Sequence, residues 1–312
     1  MRVRPTISTM LWMLPGAALM FLLVAAANHF QDRDSPSAKL AFKANRVNLV
    51  SSIQLSLSAA TEAEKNAVMA TNDQDSRNFA EQARQAAMDV EREWRDLEAR
   101  LGTGGTPAER ALLVQFSRDF AELERIDDEL LPLAVRNTNL KAYRLAFEPA
   151  AAASEAMRTQ LGRLVDACVD LPRASTILSL AFKAEAGALR IETLLAPHIA
   201  EESDEKMDSL EARMAKEDAQ VRAALDGLRA LPKLRHDGNL AAATASYATF
   251  TELRTEILAL SRENTNVRSL AVSLNRKRKV ASICQEVLRA LKQSIAAEPV
   301  PGVTFARPAA PR

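Results

Sequence analysis

The stretch VRNTNLKAYRL, residues 135–145, returns as RENTNVRSLAV, residues 262–272. From Asn137 to Asn264 the offset is 127 positions, and it holds well beyond the tripeptide. Downstream of Asn139, apolar or small residues recur at Leu140, Tyr143, Phe147, Ala150, Ser154, Met157, Leu161, Leu164 and Cys168. Steps of three and four mark a helix that buries one stripe in a bundle. The same offset lands on Val267, Leu270, Leu274, Lys277, Ala281, Cys284, Leu288, Leu291 and Ile295, and only Lys277 breaks the pattern. Upstream, Leu113, Phe120, Leu123 and Leu130 map onto Leu240, Tyr247, Phe250 and Ile257, and Trp94 and Leu101 onto Val221 and Leu228. A long period with a shared core register means two copies of one helical unit. Each Asn-Thr-Asn is then the corner between the third and fourth helices of its copy. Asn137, Asn139, Asn264 and Asn266 are its structural residues, because Asn tolerates left-handed backbone and Thr or Asn can cap the next helix.

The 312 residues suffice for two domains of ordinary size. Only nine glycines and 4% aromatics, beside abundant alanine, favour an all-α protein over a sheet protein. A net charge of +1 gives no electrostatic pull towards nucleic acid. Three histidines and two cysteines stand far apart, without the spacing of metal ligands, and no cofactor motif is present.

Domain boundaries follow from breaks in the helical pattern. Residues 1–28 read as a membrane anchor or signal segment, 37–170 as one antiparallel four-helix bundle, 173–297 as a second, and 298–312 as a proline-rich disordered tail. Gly102 to Pro107 ends the second helix, with Pro107 suited to the start of the third. Pro149 is expected to kink the fourth helix. Leu171-Pro172 divides the copies, and Pro197 and Pro232–Gly238 break the second one. The expected fold is thus two tandem antiparallel four-helix bundles behind an N-terminal span.

That span runs from Ile7 to Ala27, apolar apart from Ser8, Thr9 and a central Pro15-Gly16, behind the basic Met1-Arg-Val-Arg4. About 20 apolar residues cross a bilayer, and arginines ahead of a span keep its start in the cytoplasm. Ala25-Ala26-Ala27 also meets the small-residue rule for signal cleavage. Both readings put the bulk of the chain outside the cytoplasmic membrane. A single-pass protein of the inner membrane with a periplasmic body is the expectation.

The polar first helix, the segment EKNAVMATNDQDSRNFAEQA (residues 64–83) and LLPLAVRNTNLKAYRLAFEP (residues 130–149) carry a resemblance. The first unit resembles the extracytoplasmic four-helix-bundle sensor domain of methyl-accepting chemotaxis receptors. The second resembles it mainly through the repeat. The resemblance implies sensing of small molecules such as organic acids or amino acids, a homodimer or a membrane-protein partner, and signal transduction rather than catalysis. It supplies no ligand motif, so no binding residue is carried over. A receptor of that class continues into a second span and a signalling hairpin, whereas no apolar span follows Ala27 here. The expected function is a sensory, ligand-binding accessory module. A structural scaffold of the envelope and a truncated receptor are the alternatives.

Candidate ligand residues come from charge and position. Asn45, Arg46, Asn48, Ser51 and Ser52 make helix one unusually polar. A solvated face explains them, and so does a face on which Arg46 forks onto a ligand carboxylate beside Asn48. Lys277 sits on the seam, where snorkelling, an internal carboxylate or a small anionic ligand could receive it. Because it restores the apolar seam, Lys277→Leu is expected to leave stability unchanged or to raise it. Asp127 and Arg254 occupy matching positions and read as charged flanks. His29, His198 and His236 fall in or beside expected linkers and turns, with no nucleophile nearby, so no catalytic residue is assigned. Cys168 and Cys284 lie at heights that differ by about 16 Å in level units, too far for a disulfide, and read as buried thiols.

Overall fold

The computed structural model describes residues 35–300 apart from Thr103. The expected anchor, residues 7–27, and the tail beyond Val300 lie outside the described residues. The chain is all-α, and no strand occurs among the described residues. Its helices are α1 (Pro36–Met69), α2 (Asp73–Gly102), α3 (Pro107–Ala134), α4 (Thr138–Leu145), α5 (Ala151–Ala167), α6 (Ala174–Ala200), α7 (Asp204–Arg229), α8 (Gly238–Glu263), α9 (Thr265–Val272) and α10 (Arg278–Ala297). Single π-helical turns, Ala146–Ala150 and Ser273–Lys277, join α4 to α5 and α9 to α10. No helix among the described residues is long and apolar enough to cross a membrane.

Local chemistry accounts for the helix starts. Thr106 and Glu109 form a capping box ahead of α3. Thr106 N donates to Glu109 Oε2 at 2.9 Å and Glu109 N to Thr106 Oγ1 at 3.2 Å. Asn72 caps α2 through Asp75 N at 2.9 Å, and Asp237 caps α8 through Leu240 N at 3.0 Å. Pro197 does not break α6, which runs on to Ala200. It sits in the last turn, where the bond to the Thr193 carbonyl is forfeited and only three residues of the helix follow.

Two compact units are formed. The first takes residues 35–59, 86–121 and 281–300 of the described chain, the second residues 60–85 and 122–280. In the first unit the last described helix and the turn after it are tied to α1. Lys43 Nζ donates to the carbonyls of Ala296 at 2.6 Å and Glu298 at 2.5 Å, and Gln285 Nε2 to Gln54 O at 3.3 Å and Ser58 Oγ at 3.1 Å. Trp94 packs on Phe116 at 4.3 Å between ring centroids and donates to Ser117 Oγ at 2.9 Å.

In the second unit one core joins α4 and α5 to α6, α7 and α8. It includes Ala142, Met157, Leu161 and Leu164 from the first repeat, and Ile191, Val221, Phe250 and Ile257 from the second. Gly187 of α6 is buried against α7, and a β-carbon there would meet Val221 Cγ2 at 2.6 Å. A smaller core of Ala63, Ala67, Ala80, Leu130 and Ala134 receives Val272.

These contacts divide the chain differently from the boundaries 37–170 and 173–297. The helix after Asn139 packs with the three helices that follow it, and the helix after Asn266 reaches the helices at the start of the chain. A three-residue corner in an antiparallel bundle implies a reversal onto the preceding helix. It instead passes the chain to new partners.

The seam read from Leu140 onward also shifts. Ala142, Ala146, Ala150 and Met157 are buried, while Phe147 is 64% exposed and Leu140 and Tyr143 are half-buried. In the second copy Ser269, Ser273, Lys277 and Ala281 are buried and Leu270 and Leu274 exposed. A π-turn inserts one residue into the helical count, and so rotates everything before it relative to everything after it. Pro149 lies inside the first such turn.

Candidate functional site

The two Asn-Thr-Asn corners meet face to face in the second unit. Asn137 and Asn264 both take left-handed backbone, at φ 51° and 52°, and are the only non-glycine residues with positive φ among the described residues. Neither caps its own helix. Each copy caps the other: Thr138 N donates to Thr265 Oγ1 and Thr265 N to Thr138 Oγ1, both at 3.1 Å. Asn139 N donates to Asn266 Oδ1 and Asn266 N to Asn139 Oδ1, again at 3.1 Å. Asn139 Nδ2 reaches Asn264 Oδ1 at 2.8 Å and Asn266 Nδ2 reaches Asn137 Oδ1 at 3.0 Å. Two of the unpaired amides at each helix N-terminus are thus satisfied by a local two-fold exchange. Asn139 Nδ2 also donates to Ile199 O at 2.7 Å, and Asn264 Nδ2 to Glu201 O at 2.8 Å, so the end of α6 is fixed to the junction.

The π-turns follow the same offset, since Ala146–Ala150 maps onto Ser273–Lys277. Lys277 takes the place of Ala150 and is 1% exposed. It bonds Asp127, and its ammonium lies 3.4 Å from Glu64 Oε2, a carboxylate equally buried and without a hydrogen bond of its own. Burial, ahead of the attraction of Lys277, pushes the Asp127 carboxyl above its ordinary value of 3.8. Lys277 therefore holds an internal pair, and the expectation that leucine is harmless there is withdrawn. A long period shows that a charge lies on a seam but not what faces it, because Asp127 and Glu64 sit far off in sequence.

Arg46 is likewise turned inward. In the first unit it is 3% exposed, bonded to Glu298, 3.6 Å from Glu109 and stacked over Phe42 at 5.2 Å. Asn48 is exposed. Arg46, Asn48 and Lys277 are not gathered into one site.

Asp127 and Arg254 are more than flanks. Arg254 bonds Asp218 at 3.2 Å, beside Tyr247 Oη at 2.6 Å and Arg222 Nε at 2.8 Å. Burial raises the Asp218 carboxyl, but the bonds from Arg222 and Tyr247 and the charge of Arg254 outweigh it and hold it below its ordinary 3.8. His198 lies not in a turn but inside α6, fully buried. Its Nδ1 is 2.8 Å from Ser261 Oγ and its Nε2 2.8 Å from Glu211 Oε1, while Ser261 Oγ donates to the His198 carbonyl at 3.0 Å. Serine, histidine and carboxylate in a row are the parts of an acyl-transfer triad, yet Ser261 has no exposed surface. Cys168 and Cys284 are free and buried, and burial pushes the Cys284 thiol up to about 12.

The second unit carries concave surfaces. A groove of about 420 Å³ at the junction is lined by Met69, Leu140, Tyr143, Val267 and Leu270 among others. A cavity of about 340 Å³ lies between the α5–α6 and α7–α8 corners, lined by Leu171, Arg173, Ile177, Leu231, Lys233 and Leu234 with two prolines. No model of a known protein family matches this chain, and no curated protein matches it.

Proposed function

We propose that this chain is an extracytoplasmic, sensory helical-bundle module, held at the membrane by its N-terminal segment, that binds a small molecule and acts through a partner protein rather than by catalysis. The observation that carries the reading is the junction of the two Asn-Thr-Asn corners, each leading into a helix interrupted by a π-turn. Such turns are rare and cluster at functional sites. A helix able to gain or lose one has two packing registers, which is what a sensory element needs. The exposed Phe147, Leu270 and Leu274 support a partner, because exposed apolar surface marks interaction sites. The apolar N-terminal segment and the chemoreceptor-like pattern support the proposed location and class.

A static scaffold is the second reading. It is favoured by the internal ion pairs of Arg46 and Lys277, which occupy both cations within the fold. A thermal-shift screen of the purified chain against organic acids and amino acids separates the two. A ligand that binds only the folded state raises its melting temperature by mass action. A reproducible, saturable shift is expected, whereas silence across the screen removes the sensory reading and leaves the scaffold.

A further inference from the structure

We propose that the cavity between the α5–α6 and α7–α8 corners of the second unit is a binding site for an amphipathic carboxylate, a short apolar chain ending in one carboxyl group. The site is written twice in the sequence. Leu171-Pro172-Arg173 and Leu231-Pro232-Lys233 have the same order of apolar residue, proline and cation, and the fold brings both to one cavity. Each corner is held by its own turn bonds. Leu171 N donates to Cys168 O and Ala174 N to Leu171 O, both at 3.0 Å; Leu231 N donates to Leu228 O at 3.1 Å and Leu234 N to Leu231 O at 2.9 Å. The walls therefore exist before any ligand arrives, which lowers the entropic cost of binding.

The floor is apolar. Ile177, Leu231 and Leu234 are buried and Leu171 is half-buried. The volume, about 340 Å³, falls in the range of small-molecule sites, roughly 300–1,000 Å³. Arg173 and Lys233 are exposed, and neither side chain has an ion pair or hydrogen bond among the described residues. Arg46 and Lys277, by contrast, are already bound to carboxylates of the chain itself. Two unpaired cations of different shape at the mouth of an apolar cavity fit one anionic head. Arg173 can grip a carboxylate with two parallel N–H donors, and Lys233 adds a point charge. Without a negative head the cations gain nothing, and without an apolar tail the floor stays wet.

The proposal deepens the ligand-binding reading and rests on it. It is tested with the full chain in phosphatidylcholine nanodiscs, titrated calorimetrically with hexanoate against empty nanodiscs. Saturable binding is expected, at least tenfold weaker for the neutral hexanamide. It should also be at least tenfold weaker in the Arg173→Gln/Lys233→Gln variant, whose circular dichroism should match the parent. Both substitutions are on exposed side chains, and the hexanamide comparison needs no variant at all. Equal binding of acid and amide, or equal binding by parent and variant, overturns the site. So does absence of hexanoate binding accompanied by Arg173- and Lys233-dependent sedimentation with phosphatidylglycerol vesicles, which would assign the corners to a lipid surface. If hexanoate fails while the wider acid and amino-acid screen gives a saturable shift, this site falls and the ligand-binding reading stands. Silence in both removes both.

Discussion

Lys277 was legible as an anomaly and illegible as a solution. A lysine at a seam position must reach water, a carboxylate or an anion, and the sequence leaves all three open. Packing decides the matter, because α1 and α3 bring Glu64 and Asp127 to the same place. Lys277→Leu should therefore destabilise the fold by about 3–5 kcal/mol in urea titrations, since it strands the buried Glu64 and the partly buried Asp127. Replacing all three, Lys277→Leu with Asp127→Leu and Glu64→Leu, should recover most of that loss. A neutral single variant would show that the cluster is solvated in solution. Asp218 allows a test in pH. Its folded-state pKa lies below its ordinary 3.8, so the unfolded chain binds its proton more readily. The stability it contributes is present above about pH 4 and is lost as pH falls through the folded-state pKa. Asp218→Asn should lower stability at pH 7 by about 1.5–3 kcal/mol, the worth of hydrogen bonds to a charged group. The dependence on pH below 4 should become shallower. An unchanged acid profile would remove Asp218 from the account.

At the scale of the element, the helix boundaries were readable because caps, prolines and glycines act locally. Gly102 to Pro107 is one instance and Pro232–Gly238 another, whereas Pro197, read as a break, lies inside α6. The phase of the fourth helices was not readable before the π-turns. Leu140, Tyr143 and Phe147 continue the apolar period into Ala150, and nothing local announces that a residue is inserted between them. The buried face moves instead to Ala142 and Ala146, alanines that a pattern search scores weakly. The spacing from Ala142 to Ala146 to Ala150 is four and four, where a regular stripe alternates four with three. Deleting Glu148, which is exposed within the first π-turn, restores that alternation while keeping the same face buried. The deletion variant should fold with unchanged helix content by circular dichroism and a melting temperature equal to or above the parent's. Loss of cooperative unfolding would mean that the inserted residue is needed for packing.

At the scale of the whole molecule, the repeat was legible and the partner choice was not. Two copies with equivalent seams offer interchangeable fourth helices, since Met157, Leu161 and Leu164 present the same kind of stripe as Cys284, Leu288 and Leu291. Periodicity cannot tell which three helices each one joins. The choice is expressed at the corners, where left-handed Asn137 and Asn264 redirect the chain and each copy caps the other. The cavity flanked by Arg173 and Lys233 was likewise hidden, because its two tripeptides read only as breaks until the fold set them together.

The reciprocal junction is the central claim, and a cross-link tests it most directly. Thr138 Oγ1 and Thr265 Oγ1 lie 3.2 Å apart in the interior of the second unit. With Cys168 and Cys284 changed to alanine, a Thr138→Cys/Thr265→Cys chain should form one disulfide within a single molecule under mild oxidation, because the side chains already meet. Intact mass would fall by two hydrogens, and reduction would restore both thiols. Thiols that stay free in the folded chain, or a disulfide that forms only between chains, would contradict the junction.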